Sequence, residues 1–110
     1  MNKKRLGGVL MLLLLLAVSI ALSADRRVAP DCTCKGFKLY GKIQFVSAFP
    51  DLKVKAVGAF PDLKVQTVSA FPDKCGKWQV VDAFPDTKVQ FVDAFEDVKV
   101  QFVDAFPGLP

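Results

Sequence analysis

The chain has 110 residues, a formal net charge of +4 and 52% hydrophobic residues, which is enough for one small domain but not for two with separate cores. It contains no histidine, one glutamate and one tyrosine, so it lacks most of the side chains that enzymes use for proton transfer. We therefore expect no catalytic site and no cofactor. The sequence indicates no particular biochemical function.

Residues 1–24 have the layout of a secretory signal peptide. A basic start at residues 3–5 precedes an uncharged apolar run from Leu6, which ends at the small residues Ser23 and Ala24. Cleavage fits after either of these two residues, and the alternative is an uncleaved membrane anchor. We expect cleavage, and therefore an exported protein, periplasmic or secreted, that contacts a membrane only through this segment before it is removed.

Cleavage would remove most of the charge imbalance. Once the three basic residues at 3–5 are gone, 12 Lys and Arg remain against 11 acids, a net charge of +1. Lys and Asp then alternate along the chain, whereas a nucleic-acid-binding protein shows a basic patch or stripe. We expect no nucleic-acid partner.

Six copies of an 11-residue unit follow an N-terminal segment of residues 25–41. Their Ala-Phe pairs are spaced by 11, 11, 13, 11 and 11 residues, and a two-residue expansion around Cys75 divides the array into two halves of three units. We expect the two halves to be related by a pseudo-twofold axis within one repeat domain, residues 42–110. The units are residues 42–52, 53–63, 64–74, 77–87, 88–98 and 99–109.

Proline excludes the helical interpretation of an 11-residue period. Five of the six units carry a proline after their Phe, and each would cost about 3 kcal/mol inside a helix. The segments between the prolines are rich in Val and Phe, which favour strands. We predict an all-β fold, a compact domain of about six short strands near KVQFVD, each followed by a bend near AFPD.

One aromatic position is filled in all six units. A phenylalanine ring buries roughly 150 to 250 Å², so we expect this row to be core rather than a ligand platform and to supply its main apolar mass. The row is Phe49, Phe60, Phe71, Phe84, Phe95 and Phe106.

Aspartates form two rows. The Pro-Asp pairs predict β-turns whose carboxylates accept backbone amides two residues further on. Carboxylate rows also suit Ca²⁺, but no unit has the spacing of a calcium loop, so we expect structural turns and no metal site. The first row is Asp51, Asp62, Asp73 and Asp86; the second is Asp82, Asp93 and Asp104, where the first half has Ser47, Gly58 and Ser69.

The three cysteines are Cys32, Cys34 and Cys75. In an oxidising compartment we expect one disulfide, from Cys34 to Cys75 or, alternatively, from Cys32 to Cys75. Closing a loop of about 42 residues would stabilise the fold by roughly 4 kcal/mol in the chain-entropy model. A redox or metal role is less favoured, because the chain has neither histidine nor a CxxC motif.

The segment from Cys34 to Leu109, with CKGFKLYGKIQ, the repeated KVQFVDAFPD units and the central FPDKCGKWQ, resembles the septoil knot domain family of small exported bacterial proteins. The resemblance implies an all-β domain whose chain follows a seven-crossing torus knot, against the general rule that connections avoid threading. It implies no established biochemical function. Glu96 in place of Pro and Gly108 in place of Asp depart from the repeat, so the bends of units five and six are less well predicted.

Three classes of function follow from these features. The favoured one is an exported structural or interaction module that presents Lys, Gln and Asp to an unknown protein or envelope partner. The alternative is a ligand-binding domain for Ca²⁺ or glycans, using the aspartate rows and exposed aromatics such as Tyr40 or Trp78. A hydrolase with paired carboxylates, such as Asp82 and Asp86, is disfavoured because repeated, equivalent bends offer no unique site.

Overall fold

The computed structural model describes residues 26–110, which contain eight β-strands and no helix. The predicted signal peptide lies outside the described residues. Two short strands, β1 (Thr33–Cys34) and β2 (Phe37–Lys38), form an antiparallel hairpin. The repeat strands are β3 (Gly41–Phe45), β4 (Leu52–Ala56), β5 (Leu63–Thr67), β6 (Lys77–Val80), β7 (Thr87–Phe91) and β8 (Val98–Phe102).

The six repeat strands close into a parallel barrel in the order β3-β6-β5-β8-β4-β7. Consecutive strands of the chain lie two places apart around the barrel, except β5 and β6, which are neighbours. The two-residue expansion lies in that one connection. Because this connection leads to a neighbouring strand, β6, β7 and β8 occupy the places between β3, β4 and β5, and strands of the two halves alternate around the barrel.

The register is the same at every interface of the barrel. The central inward residue of each strand pairs with the residue that lies two positions before the central inward residue of the next strand. Ile43 pairs with Thr87, two positions before Val89, and Val89 pairs with Leu52, two positions before Val54. The other four interfaces repeat this offset. Because the offset is uniform, equivalent residues of the six units lie at one level around the barrel axis.

Two layers of inward-pointing side chains fill the barrel. The β-branched residues that dominate them pack well on a pleated sheet. Trp78 donates its indole N–H to the carbonyl oxygen of Leu39, at 3.0 Å, so even the one large polar group in the interior is satisfied. The central layer is Ile43, Val54, Val65, Trp78, Val89 and Val100, all fully buried; the layer two residues earlier contains Leu52, Leu63, Thr87 and Val98.

Two glycines complete the second layer, and the N-terminal segment covers this end of the barrel. Gly76 has a φ of 81°, and a Cβ there would collide with the carbonyl oxygen of Lys64, so the position requires glycine. Fully buried Leu39 belongs to the same core cluster, and the Thr87 hydroxyl donates to the Lys38 carbonyl at 2.9 Å. The amino end of the barrel is therefore closed by the chain itself.

Short connections suffice because of the register. Parallel strands usually need a crossover of a dozen or more residues. Here Phe45 and Leu52 both pair with Val89, so the end of β3 and the start of β4 flank the same residue of β7, and residues 46–51 only have to cross the outer face of that strand. Both ends of that connection donate backbone hydrogen bonds to β7, at 2.9 Å. The connections thus cover the outer face of a parallel sheet that helices cover in other folds.

The prediction that the Phe row forms the core is wrong. The six rings are 81–95% exposed, and all six residues have φ between 53° and 61°. Two physical reasons account for this: the inward positions are already filled by the two layers above, and the left-handed bend directs the Cβ of each Phe away from the strand that its connection crosses. The residues are Phe49, Phe60, Phe71, Phe84, Phe95 and Phe106.

Candidate interaction surface

The six exposed rings form what we call the Phe belt, defined as Phe49, Phe60, Phe71, Phe84, Phe95 and Phe106. Five of the rings stand on segments that cross the outside of a barrel strand, and Phe71 stands on the connection between the neighbouring strands β5 and β6, which bonds to β6 through Val68. The bend persists in the two units that depart from the repeat. Phe95, which precedes Glu96, has a φ of 61°, and Phe106, two residues before Gly108, has a φ of 57°. The belt is therefore complete in all six units.

Three members of the first aspartate row and Asp97 hold the connections to the barrel, whereas Asp73 of that row is exposed. Asp51 donates its backbone N–H to the Lys88 carbonyl, and its carboxylate accepts the Lys88 N–H at 2.8 Å. Asp62, Asp86 and Asp97 do the same with Lys99, Lys42 and Lys53. The predicted partners two residues along the chain were wrong, since these amides lie 37 or 44 residues away.

In the last unit, backbone atoms replace the carboxylate. Gly108 donates its backbone N–H to the Lys64 carbonyl and accepts the Lys64 N–H, at 2.8 and 2.9 Å. The last unit therefore keeps the attachment to the barrel strand that Asp makes in other units. A glycine with φ of 123° suits this close approach of two backbones.

Glutamines fix the middle of the same connections. The outward-pointing Gln90 of β7 donates its amide to the Ser47 carbonyl at 3.0 Å, and equivalent glutamines bond Gly58, Asp82 and Asp104 carbonyls at 2.9 to 3.1 Å. The second aspartate row thus contributes its backbone oxygens to the fold. No cluster of metal-binding side chains occurs within residues 26–110.

The disulfide joins Cys32 to Cys75, with a Cα–Cα distance of 5.6 Å. This is the alternative of the two predicted pairings; the Cys34–Cys75 pairing is corrected. Cys34 is a free, buried thiol, and burial, followed by the nearby Asp97 carboxylate, raises its pKa. A thiol with a raised pKa is a poor nucleophile at neutral pH, which gives Cys34 the character of a small core residue.

Two ion pairs attach the N-terminal segment to the fifth connection. Lys35 donates to the Asp97 carboxylate, and Arg27 lies 3.5 Å from Glu96. Partial burial raises the pKa of Asp97, but hydrogen bonds from Lys35 and from the Lys53 amide outweigh it, so that the pKa lies below its ordinary value. The substitution of Pro by Glu96 therefore supplies a contact that the other units do not need.

The carboxyl end of the barrel carries an apolar cluster that the sequence patterns did not single out. Phe45, Phe91 and Phe102 are 42–44% exposed. Phe45 and Phe91 meet edge to face with centroids 5.0 Å apart, and Phe102 packs on Trp78 at 6.1 Å. The period of two placed them on the same strand face as Ile43, Val89 and Val100, but it did not show that this end of the barrel leaves them partly exposed.

The two aromatics proposed for glycan binding are not both available. Trp78 is fully buried in the barrel, so that part of the prediction is wrong. Tyr40 is half-buried against the core, with the Lys38 ammonium 5.6 Å from its ring centre. Of the proposed carboxylate pair, Asp86 is bonded to the Lys42 amide, and Asp82 is exposed on the outside of the barrel.

Comparison with known proteins identifies the fold. The model of the 7(1) septoil knot domain matches residues 36–110. The chain belongs to the septoil knot family. This confirms the resemblance seen in the repeat and an all-β barrel with a septoil knot domain. An uncharacterised protein of Synechocystis sp. (strain ATCC 27184 / PCC 6803 / Kazusa) is 52% identical over 79 residues, which cover 69% of this chain and 70% of that protein.

A search for membrane-spanning helices within residues 26–110 finds none of sufficient length and hydropathy.

Proposed function

We propose that this septoil knot protein is an exported structural or interaction module, without catalytic activity, whose contact surface is the Phe belt. One observation carries the proposal: six large apolar rings are 81–95% exposed. Large apolar side chains that are almost fully exposed at the same position of every unit are surface that contact with a partner would bury. Packing within the domain does not require these rings, because the interior is already filled by other residues.

Backbone strain supports the same conclusion. A left-handed conformation costs roughly 1 to 2 kcal/mol for a residue with a Cβ, and glycine or asparagine adopts it more easily. The chain nevertheless places Phe at this position in all six units. Strain of this kind recurs at sites where function over-rides stability.

The polar surface predicted to meet a partner is largely committed to the fold. Four glutamines and four aspartate carboxylates hold the connections to the barrel. This argues against the alternative Ca²⁺ site at Asp51, Asp62 and Asp86 of the first aspartate row, because these carboxylates already accept backbone amides. The Phe belt, the exposed lysines and the carboxylates of the second aspartate row are what remains for recognition.

Export is part of the proposal and rests on two features. Residues 1–24 have the layout of a signal peptide, and the Cys32–Cys75 disulfide suits an oxidising compartment. The near-neutral charge of residues 25–110 supports the expectation that nucleic acid is not the partner.

Retention on cell envelopes tests the proposal. The protein is incubated with washed envelope fractions and sedimented, alongside a variant in which all six belt residues are Asn. We expect the wild type to be retained and the variant to stay in solution, because Asn removes the ring and tolerates the left-handed conformation. Equal retention of the two proteins, or retention of neither, would contradict a contact role for the belt.

A further inference from the structure

We propose that the Phe belt binds the surface of a lipid bilayer, with neighbouring rings inserted at the boundary between headgroups and acyl chains. The inference rests on the proposed function and names its partner. It departs from the expectation that the protein contacts a membrane only through residues 1–24.

The crossed strands fix the order of the rings around the barrel. The connection carrying Phe84 crosses β3, and those of Phe49, Phe95, Phe60 and Phe106 cross β7, β4, β8 and β5, as their backbone bonds to those strands show. These five strands are successive neighbours in the barrel. Rings from the two halves of the chain therefore alternate around the belt.

Each belt ring stands alone. The described aromatic pairs involve Phe45, Trp78, Phe91 and Phe102, and none includes a belt ring. A specific protein interface has a contiguous, closely packed apolar centre, which separated rings do not supply. Hydrocarbon accepts an isolated ring at any position because the hydrophobic effect is non-directional.

The charges near the belt have both signs. Lys42, Lys53 and Lys88 are exposed, and so are Asp82, Asp93 and Asp104, within a stretch whose net charge is +1. Zwitterionic headgroups also carry both signs, so this surface meets them without net repulsion. Binding should therefore require no anionic lipid and depend little on salt.

The curvature of the barrel determines how many belt rings can insert into one membrane. The belt encircles a convex barrel, and a flat membrane touches a convex body along one side only. Two neighbouring rings are the smallest set that inserts together, and any side of the barrel presents such a pair. A single ring leaves the domain held by one contact.

Two triple variants separate adjacency from ring number. In the variant with contiguous substitutions, Phe84→Asn, Phe49→Asn and Phe95→Asn, the neighbouring pair Phe60 and Phe106 remains. In the variant with alternating substitutions, Phe84→Asn, Phe95→Asn and Phe106→Asn, the remaining rings have no neighbour; they include Phe71, whose segment bonds to β6 through the Val68 N–H and the Trp78 carbonyl. Both variants remove three rings and introduce the same residue.

The measurement is co-sedimentation with phosphatidylcholine vesicles. The full chain carries an inserted protease site after Ala24, and residues 1–24 are removed after folding so that they do not bind lipid themselves. We expect the contiguous variant to bind within about threefold of wild type. The alternating variant should bind at least about tenfold more weakly, since transferring one ring out of water is worth at least that factor.

Three outcomes of these experiments would contradict the proposal that neighbouring belt rings insert into lipid. No wild-type binding to vesicles, with belt-dependent retention on envelopes, would overturn the lipid partner and leave the interaction role intact. Equal losses in the two triple variants would contradict insertion of neighbouring rings. Belt-dependent oligomers in sedimentation velocity without lipid, together with absent vesicle binding, would assign the belt to a second copy of the chain.

Discussion

The inside of the barrel and the Phe belt are built from the same repeat, yet they treat apolar side chains in opposite ways. The central Val of a unit is fully buried, whereas the Phe six residues further along is almost fully exposed. The larger and more apolar side chain is thus the one left in water. Backbone conformation therefore decides burial here: an extended strand points Val89 inward, and a left-handed bend points Phe95 outward.

The largest effect should come from breaking the interior. Trp78→Ala removes the largest buried side chain and its hydrogen bond to Leu39, and should cost about 3 to 5 kcal/mol in chemical unfolding. The milder Ile43→Val should cost about 1 kcal/mol and keeps the test usable if the first variant does not fold. Losses near zero for both would mean that the barrel interior is not the core.

Removing the disulfide should come next. It closes a loop between residues 43 positions apart, so Cys32→Ser with Cys75→Ser should lose roughly 4 kcal/mol. Cys34→Ala is the matched control and should lose about 1 kcal/mol, because it removes one buried sulfur. Non-reducing peptide mapping must show a Cys32–Cys75 peptide; a Cys34–Cys75 peptide would refute the pairing.

A smaller effect should follow from the anchored connections. Asp97→Ala removes the acceptor for the Lys53 amide and for Lys35, at a cost of about 1 kcal/mol for a partly solvated carboxylate. The pKa of Asp97 is lowered in the folded state, so its contribution is present above the unfolded value near 3.9 and is lost as pH falls through the folded pKa.

The pH profile checks that sign. The stability difference between wild type and Asp97→Ala should be constant near neutral pH and shrink below about pH 4. Asp93→Ala, which removes an exposed carboxylate of the second row, is the matched control. A difference that grows as the pH falls would contradict a stabilising carboxylate at position 97.

The smallest effect should come from the belt. Phe84 is 92% exposed, so Phe84→Ala should change the free energy of unfolding by less than about 0.5 kcal/mol. A loss of 3 kcal/mol or more, the value for a buried ring, would place Phe84 in the core.

The repeat predicted the strands well because strand propensity and proline act locally. Val89 and Val100 were expected in strands and lie in β7 and β8. Four strands, β4, β5, β7 and β8, begin one residue before the predicted units, at the residue after an Asp, because Leu52 and its equivalents are inward layer residues. Strand β6 begins with its predicted unit at Lys77. A local pattern shows where a strand runs, but it does not show which side chains fill the interior of a closed barrel.

The exposure of the Phe row could not be predicted from periodicity. An apolar residue at a bend is buried in most proteins, and nothing in the AFPD letters shows that φ at Phe is positive. The long-range bonds of Asp51 and Gln90 were also hidden, because they depend on the two-place steps of the chain around the barrel. The choice of Cys32 over Cys34 depended likewise on how the N-terminal segment folds back on the barrel.

The most direct test of the contrast between interior and belt is equilibrium unfolding of the variant with Asn at all six belt positions. The account predicts a protein at least as stable as wild type, because six exposed rings are lost and six left-handed bends become easier to adopt. A failure to fold, or a loss of about 6 kcal/mol or more, would show that the rings hold the domain together.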